Sequence, residues 1–314
     1  MNMKKLIFFV LSFSSLHMHA VTLVYNMKIR RVFNVSAILG KKDKPVWIAT
    51  ALPIAYTRSR HIVDPALGVN VYDKRIAGGS LFNLRYIGPQ QSWWFEITTG
   101  LEKERVQSHG TTNICASRLG IDDIILSGGR AFFPNKKTQY VVYGLAGFPT
   151  RRKLTLAERY DTLVGTRFFG LGLGAEASYA IIQSVQQSLI MIGQARFVHF
   201  FNRKWYPILP CNAQIEPGNL TDILASVQYR RGKNIFETGY NVTLFSNQAV
   251  VVPPQKITTH LFIRQSAYAT YSRMFKEFPV LKIPLLLGAG FNIGHAQRFN
   301  TKIYAYWLNI STAF

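Results

Sequence analysis

Charged side chains at alternate positions of extended segments are the first candidates for chemistry in this sequence. Counting by twos through those segments places one set on a common face: Arg85, Glu96, Glu102, Arg130, Glu176, Arg196, Arg230, Glu237, Arg264 and the amide Asn292. Positive and negative members are nearly equal in number. Buried charges need partners, so this face predicts a ladder of internal ion pairs, although the same residues could line a wet channel. The sequence leaves both interpretations open.

Nucleophilic catalysis would require a serine close to a histidine that is itself held by an orienting group. The candidate histidines are His61, His109, His199, His260 and His295. Ser108 directly precedes His109, but adjacency in a loop does not make two side chains face each other. The roles of nucleophile and base cannot be assigned. We therefore predict that the protein is not an enzyme.

The two cysteines, Cys115 and Cys211, do not form a disulfide framework, and neither lies in a spacing typical of metal ligands. We predict no metal and no cofactor. Both cysteines fall in predicted surface loops, where a disulfide between them and two free thiols are equally compatible with the sequence. The glycine-rich stretch GLGLGAE lacks the Lys-Ser/Thr pair and the following helix of a nucleotide-binding loop.

The composition favours a basic protein with an unusually small charged fraction. Residues are 48% hydrophobic and only 17% charged, and the formal net charge is +22. Such a surface attracts anions, which include lipid phosphates, acidic solutes and nucleic acid. No recognised nucleic-acid motif accompanies the charge, so nucleic-acid binding is not predicted.

The elements that must position these residues are strands, because apolar and small or polar residues alternate with a period of two. About twelve strands are predicted, at 46–58, 76–88, 92–106, 121–133, 138–148, 165–180, 188–201, 222–232, 234–246, 259–275, 281–294 and the tail that ends at Phe314. Each is near the length that a tilted strand needs to cross a bilayer. After residue 20, no apolar run is long enough for a transmembrane helix.

The predicted connections alternate between short turns and long loops. The long ones cover 59–75, 107–120, 149–164, 202–221 and 247–258, and several carry basic residues. Short turns on one rim and long loops on the other are typical of a transmembrane β-barrel, and a β-sandwich has no reason to alternate in this way.

The N-terminal residues predict export. Lys4 and Lys5 precede a short apolar run, and Ala20 ends a plausible cleavage region, so residues 1–20 are predicted to be a signal peptide. Residues 21–45 would form a periplasmic segment or a plug, and residues 46–314 the barrel.

The C-terminal segment YAYWLNISTAF places Tyr304, Tyr306, Leu308 and Ile310 on the same face as the terminal Phe314. This segment resembles the closing strand of bacterial outer-membrane β-barrel proteins. The resemblance implies an outer-membrane location and recognition of the strand by the barrel-insertion machinery. It is a resemblance of architecture and singles out no specific family.

The predicted fold is therefore all-β: a closed antiparallel transmembrane β-barrel with short periplasmic turns and longer extracellular loops. A lipocalin-like or sandwich fold in the periplasm is the soluble alternative. The favoured function is a narrow passive diffusion channel with a preference for anions. The alternatives are a closed structural or surface-interaction barrel that acts through its basic loops, and an outer-membrane lipid hydrolase. The expected partners are outer-membrane lipid, the insertion machinery and small anionic solutes.

Overall fold

The computed structural model describes most of the chain after residue 44. The described residues are 45–64, 69–89, 92–109, 114–150, 168–184, 186–205, 213–252, 255–259, 262–275, 284–296 and 301–313. The predicted signal peptide at 1–20 and, except for Pro45, the predicted N-terminal segment at 21–45 lie outside these ranges.

The described residues form seventeen strands. They are β1 Val46–Asp64, β2 Val69–Ile87, β3 Trp93–His109, β4 Ile114–Ile121, β5 Ile124–Phe132, β6 Thr138–Phe148, β7 Gly170–Gln183, β8 Gln187–Phe200, β9 Arg203–Trp205, β10 Ala213–Glu216, β11 Asn219–Arg231, β12 Asn234–Phe245, β13 Gln248–Val252, β14 Gln255–Thr259, β15 Phe262–Phe275, β16 Leu285–Ala296 and β17 Thr301–Ala313. The part of the chain that the structure describes contains no helix long and apolar enough to cross a membrane.

Twelve of these strands close into a single antiparallel barrel. Each strand pairs with its neighbours in the ring β1, β2, β3, β5, β6, β7, β8, β11, β12, β15, β16 and β17, and β17 returns to pair with β1. Closure leaves no unpaired edge, which matters because lipid offers no hydrogen bonds to backbone groups. The predicted closed barrel of about twelve strands is confirmed.

The faces of the strands follow the alternation in the sequence. In β17, Tyr306 and Leu308 are 61% and 54% exposed, whereas Ala305 and Asn309 are 0% and 5% exposed. The exposed face is the apolar and aromatic one, so it is the face that meets lipid hydrocarbon. The small and polar face points into the barrel.

Aromatic side chains mark both rims of the apolar band, as expected for membrane interfaces. At the short-turn rim, the rings of Trp47 and Tyr86 and those of Tyr86 and Trp93 lie 5.0 Å apart on the outer surface. At the long-loop rim, Phe169 lies 5.2 Å from Phe201. By the usual orientation of such barrels, the first rim is periplasmic and the second extracellular.

The structure corrects several predicted loops. The region 59–75 is largely strand, since β1 runs to Asp64 and β2 starts at Val69. The predicted loop 107–120 contains the end of β3 and most of β4, which pairs with β3 above the barrel. The predicted loops 202–221 and 247–258 contribute β9, β10, β13 and β14, which form a separate four-stranded sheet on the extracellular side.

Candidate functional site

The barrel interior holds most of the residues that the sequence assigned to one face. Those that are buried are Arg85, Glu96, Glu102, Arg196, Glu237, Arg264 and Asn292. Glu176 and Arg230 lie on inward-facing positions of β7 and β11 and are half-buried. The structure therefore brings nine of the ten predicted residues to the same side of the sheet.

Arg130 is the exception, and the prediction that it points inward is wrong. In β5, Ile125 and Ser127 are buried, whereas Arg130 is exposed on the opposite face. Its guanidinium lies 5.5 Å from the ring of Phe132 at the periplasmic rim. A long cationic side chain at this position can reach the headgroups while its stem covers apolar surface.

Glu96 on β3 is the acceptor at the centre of the first interior cluster. One carboxylate oxygen, Oε2, accepts hydrogen bonds from the Arg85 guanidinium and, at 2.9 Å, from Asn83 Nδ2. The other, Oε1, accepts a 2.7 Å hydrogen bond from Ser127 Oγ. The Arg85 guanidinium also lies 5.3 Å from the ring centroid of Trp94. The carboxylate charge is thus fully engaged by groups on β2 and β5.

Asp222 on β11 is the centre of a second cluster, and it is absent from the predicted set. Its Oδ1 accepts 2.7 Å hydrogen bonds from both Asn241 Nδ2 and Thr243 Oγ1, and its Oδ2 accepts a 3.3 Å hydrogen bond from Arg196. Alternation could have identified it, because Asp222 stands an even number of residues before Arg230 on the same strand.

Glu237 on β12 forms a third cluster with neutral donors. The hydroxyl of Tyr268 on β15 donates to Oε1 at 2.5 Å, and Gln228 Nε2 on β11 lies 3.5 Å from Oε2. Together, the three clusters make the interior largely a set of partnered groups. Two of the clusters contain an ion pair, Arg85–Glu96 and Arg196–Asp222, and the third is held by neutral donors.

Several inward rings pack closely against glycines of the next strand. A Cβ atom added to Gly174 would meet the ring of Tyr143, and one added to Gly290 would lie 2.5 Å from the ring of Trp307. Tyr143 also accepts a 2.8 Å hydrogen bond from Gln194 Nε2. The glycines therefore let large rings pack against the barrel wall, as aromatic residues do over glycines in other sheets.

Part of the interior is apolar. A contiguous buried group comprises Leu52, Ile54, Tyr56, Ala77, Leu81, Leu224, Tyr268, Ile303, Ala305 and Trp307. Most of these residues lie on β1, β2 and β17, so this side of the lumen is filled by side chains and narrows the interior.

The wall formed by β7 is more open. The inward residues Gly172, Gly174, Glu176 and Ser178 of β7 are each half-buried, in contrast to most of the charges elsewhere in the interior, which are buried. We call these four residues the β7 strip. Glu176 is the charged member of the strip.

Arg58 and Arg75 are interior residues that the sequence reading placed beside a loop. They are direct cross-strand neighbours on β1 and β2, and their exposed fractions are 3% and 1%. Both strands continue beyond these residues, through most of the predicted loop 59–75.

The remaining predicted residues lie on the outside or beyond the described ranges. His61, His109, His199 and His295 are exposed, and His199 Nδ1 is 2.7 Å from Asn219 Oδ1. Cys115 belongs to β4 rather than to a loop, and Cys211 and His260 lie outside the described residues. The predicted disulfide stays a prediction. In the predicted insertion signal, Tyr304, Tyr306, Leu308 and Ile310 are exposed on the outer face, and Phe314 lies outside the described residues.

Comparison with known proteins identifies the architecture. No known protein family and no curated protein matches the sequence. An outer-membrane channel from Pseudomonas putida F1 is similar in structure, with a TM-score of 0.59, 13% sequence identity, and coverage of 88% of this chain and 98% of that chain. The transport unit of the autotransporter AIDA-I from Escherichia coli gives a TM-score of 0.49 at 11% identity, covering 96% of this chain and 98% of that chain.

The toluene transporter TodX from Pseudomonas putida is less similar, with a TM-score of 0.39 at 10% identity over 90% of this chain and 93% of that chain. At these identities, the comparison establishes the fold. The chain has the closed antiparallel barrel fold of bacterial outer-membrane proteins.

Proposed function

We propose that this protein is a narrow passive diffusion channel for small solutes in the bacterial outer membrane. The observation that carries the proposal is the β7 strip, where four successive inward residues stay half-buried, whereas most of the charges elsewhere in the interior are buried. Water that reaches Glu176 and Ser178 would provide a path along this wall. The Pseudomonas putida protein with the same fold is itself a channel, which agrees with this role.

The channel would be narrow because side chains occupy much of the barrel cross-section. The buried apolar group fills the interior beside β1, β2 and β17. Arg85 and Glu96 are 2% and 1% exposed, so a solute would not contact their charges directly. Small solutes could pass along the opposite wall, whereas large ones would be excluded.

The proposal includes a preference for anions that originates outside the lumen. Among the residues that the structure describes, the buried charges nearly balance: five arginines (Arg58, Arg75, Arg85, Arg196 and Arg264) stand against six carboxylates (Glu96, Glu102, Asp122, Asp123, Asp222 and Glu237). The net charge of +22 must therefore come from other residues, many of them in predicted loops. A basic channel mouth would raise the local concentration of anions.

A closed barrel that acts through its extracellular loops is the second candidate. The four-stranded sheet of β9, β10, β13 and β14 gives these loops an ordered structure of their own, and the partnered interior would suit a barrel without a path. This candidate predicts binding of a surface partner and no conductance. We do not propose that the protein hydrolyses lipid.

Single-channel recording in planar bilayers tests the proposal. Folded barrel, identified by its heat-modifiable shift on an electrophoretic gel, should produce discrete conductance steps when added to the bilayer. A salt gradient should give a reversal potential of the sign expected for anions. Folded protein that inserts without conductance above the noise would exclude the channel and favour the closed barrel.

A further inference from the structure

One cross-strand row on the outer surface differs from the apolar band below it. Its six residues lie on six consecutive strands of the barrel, and each is the direct neighbour of the next: Gln265, His295, Lys302, Ser59, Lys74 and Gln107. We call this set the outer polar row. All six face outward, four are exposed, and Ser59 and Gln107 are half-buried.

The outer polar row lies at the extracellular boundary of the lipid-facing surface. On β16, β17 and β2, the next outward-facing residues toward the periplasm are Ile293, Tyr304 and Ile76. Their side chains are 51%, 39% and 42% exposed. Apolar side chains therefore begin directly below the polar ones on these three strands, whereas the next outward residue on β3 is the exposed Arg105. This placement brings the lysines to the level of the lipid headgroups.

The rim is different on the other side of the barrel. There Phe148, Phe169 and Phe201 occupy the same boundary. The ring centroids of Phe148 and Phe169 lie 5.4 Å apart, and those of Phe169 and Phe201 lie 5.2 Å apart. Cationic and amide groups are thus gathered on the part of the rim from β15 to β3. A general requirement for solubility at the rim would not account for this asymmetry.

We propose that the outer polar row binds a phosphate-bearing lipid of the extracellular leaflet. Lys302 and Lys74 are two strands apart, which corresponds to about 10 Å at the usual strand spacing. Their ammonium groups would donate charge-assisted hydrogen bonds to phosphate oxygens, and Ser59, between them, would add a neutral donor. The acyl chains would lie on Ile76, Ile293 and Tyr304. The partner is a lipid because hydrogen-bond donors for phosphate lie next to an apolar surface.

This site requires the barrel to lie in a membrane but does not require it to conduct. Lipid binding is therefore measured separately from conductance, and either result can fail without the other. The row also faces away from the lumen, so its substitution should leave the interior clusters intact.

Native mass spectrometry of the folded barrel in detergent tests the site with purified bisphosphorylated lipid A. Wild-type protein should retain the lipid, and the same lipid after removal of its phosphates should bind much more weakly. The double variant K74Q/K302Q should lose about fivefold in affinity for each lysine, the effect expected of one cation at a charged lipid surface. The matched control K136Q/K137Q changes two exposed lysines at the periplasmic turn between β5 and β6 and should bind as the wild type does.

Two results would overturn the proposal. One is equal binding of phosphorylated and dephosphorylated lipid to wild-type protein, which does not depend on any variant folding. The other is a folded K74Q/K302Q protein, verified by its heat-modifiable shift, that retains lipid A as well as the control variant does.

Discussion

The Arg196 guanidinium on β8 and the Asp222 carboxylate on β11 face each other across neighbouring strands at 3.3 Å, and their side chains are only 1% and 7% exposed. Asp222 also accepts hydrogen bonds from Asn241 and Thr243, so its charge is held by groups on both neighbouring strands, β8 and β12. A buried pair of this kind is costly to break because the remaining charge is left without its partner.

Replacing Arg196 with Gln should therefore destabilise the barrel by about 3–5 kcal/mol, the usual loss when one partner of a buried pair is removed. Ion selectivity should stay unchanged, because this arginine does not meet the water path. Urea unfolding in detergent would measure the stability. Arg231→Gln, at an exposed arginine on β11, the strand that carries Asp222, is the control. A change of selectivity without loss of stability would show that Arg196 lines the channel instead.

Glu176→Gln should shift selectivity further toward anions. The substitution removes a negative charge from the half-buried β7 strip, and a unit charge about 4 Å from an ion contributes roughly 1 kcal/mol in water, which is about a fivefold effect on the permeability ratio. Reversal potentials in a salt gradient would measure it. Glu237→Gln, which alters a buried carboxylate bound by Tyr268, should change selectivity less. Equal reversal potentials in wild type and Glu176→Gln would place Glu176 off the path.

A cysteine at Ser178 should react with a water-soluble methanethiosulfonate reagent and reduce the conductance, because Ser178 lies on the half-buried inward strip. The background should carry C115S and C211S so that no other thiol reacts. Ala177→Cys, one residue away on the lipid-facing side, is the matched control and should leave the current unchanged. Modification of Ser178→Cys, verified by mass, with no effect on the current would contradict the proposed path.

Gly290→Ala should destabilise the barrel by about 1–3 kcal/mol, the range for overpacking, since the new methyl group would meet the Trp307 ring. The control is Gly193→Ala, at a strand position where an added Cβ meets nothing within 4 Å. The denaturant midpoints of the two variants would measure the loss of stability in each. If both midpoints moved equally, the loss would reflect glycine replacement in general rather than the packing of Trp307.

The strands were predictable because one physical requirement acts on every second residue. A lipid-facing side chain must be apolar, and this constraint reaches all twelve barrel strands. The constraint weakens where the chain leaves the membrane. The strands β4, β9, β10, β13 and β14 pair above the bilayer, where alternation is not enforced, and they were therefore read as loops.

The errors in the site have similar local causes. In β5, the pair Gly128 and Gly129 carries no side chains to distinguish the two faces, so Arg130 was placed on the wrong one. Arg75 fell within the predicted loop 59–75, yet it lies buried on β2 beside Arg58 of β1. The partners of each charge depend on cross-strand register, which no single segment contains.

The contact between Thr50 Oγ1 and Ser311 Oγ, 2.9 Å apart across β1 and β17, joins residues separated by 261 positions in the chain. Until β1 and β17 pair, one edge of β1 has no partner strand for its backbone hydrogen bonds. Closure of the barrel therefore depends on the last strand of the chain. A polypeptide that ended before this strand would expose two unpaired sheet edges, which promote aggregation. This late closure favours a chaperone that delays strand pairing while the chain is transported to the membrane.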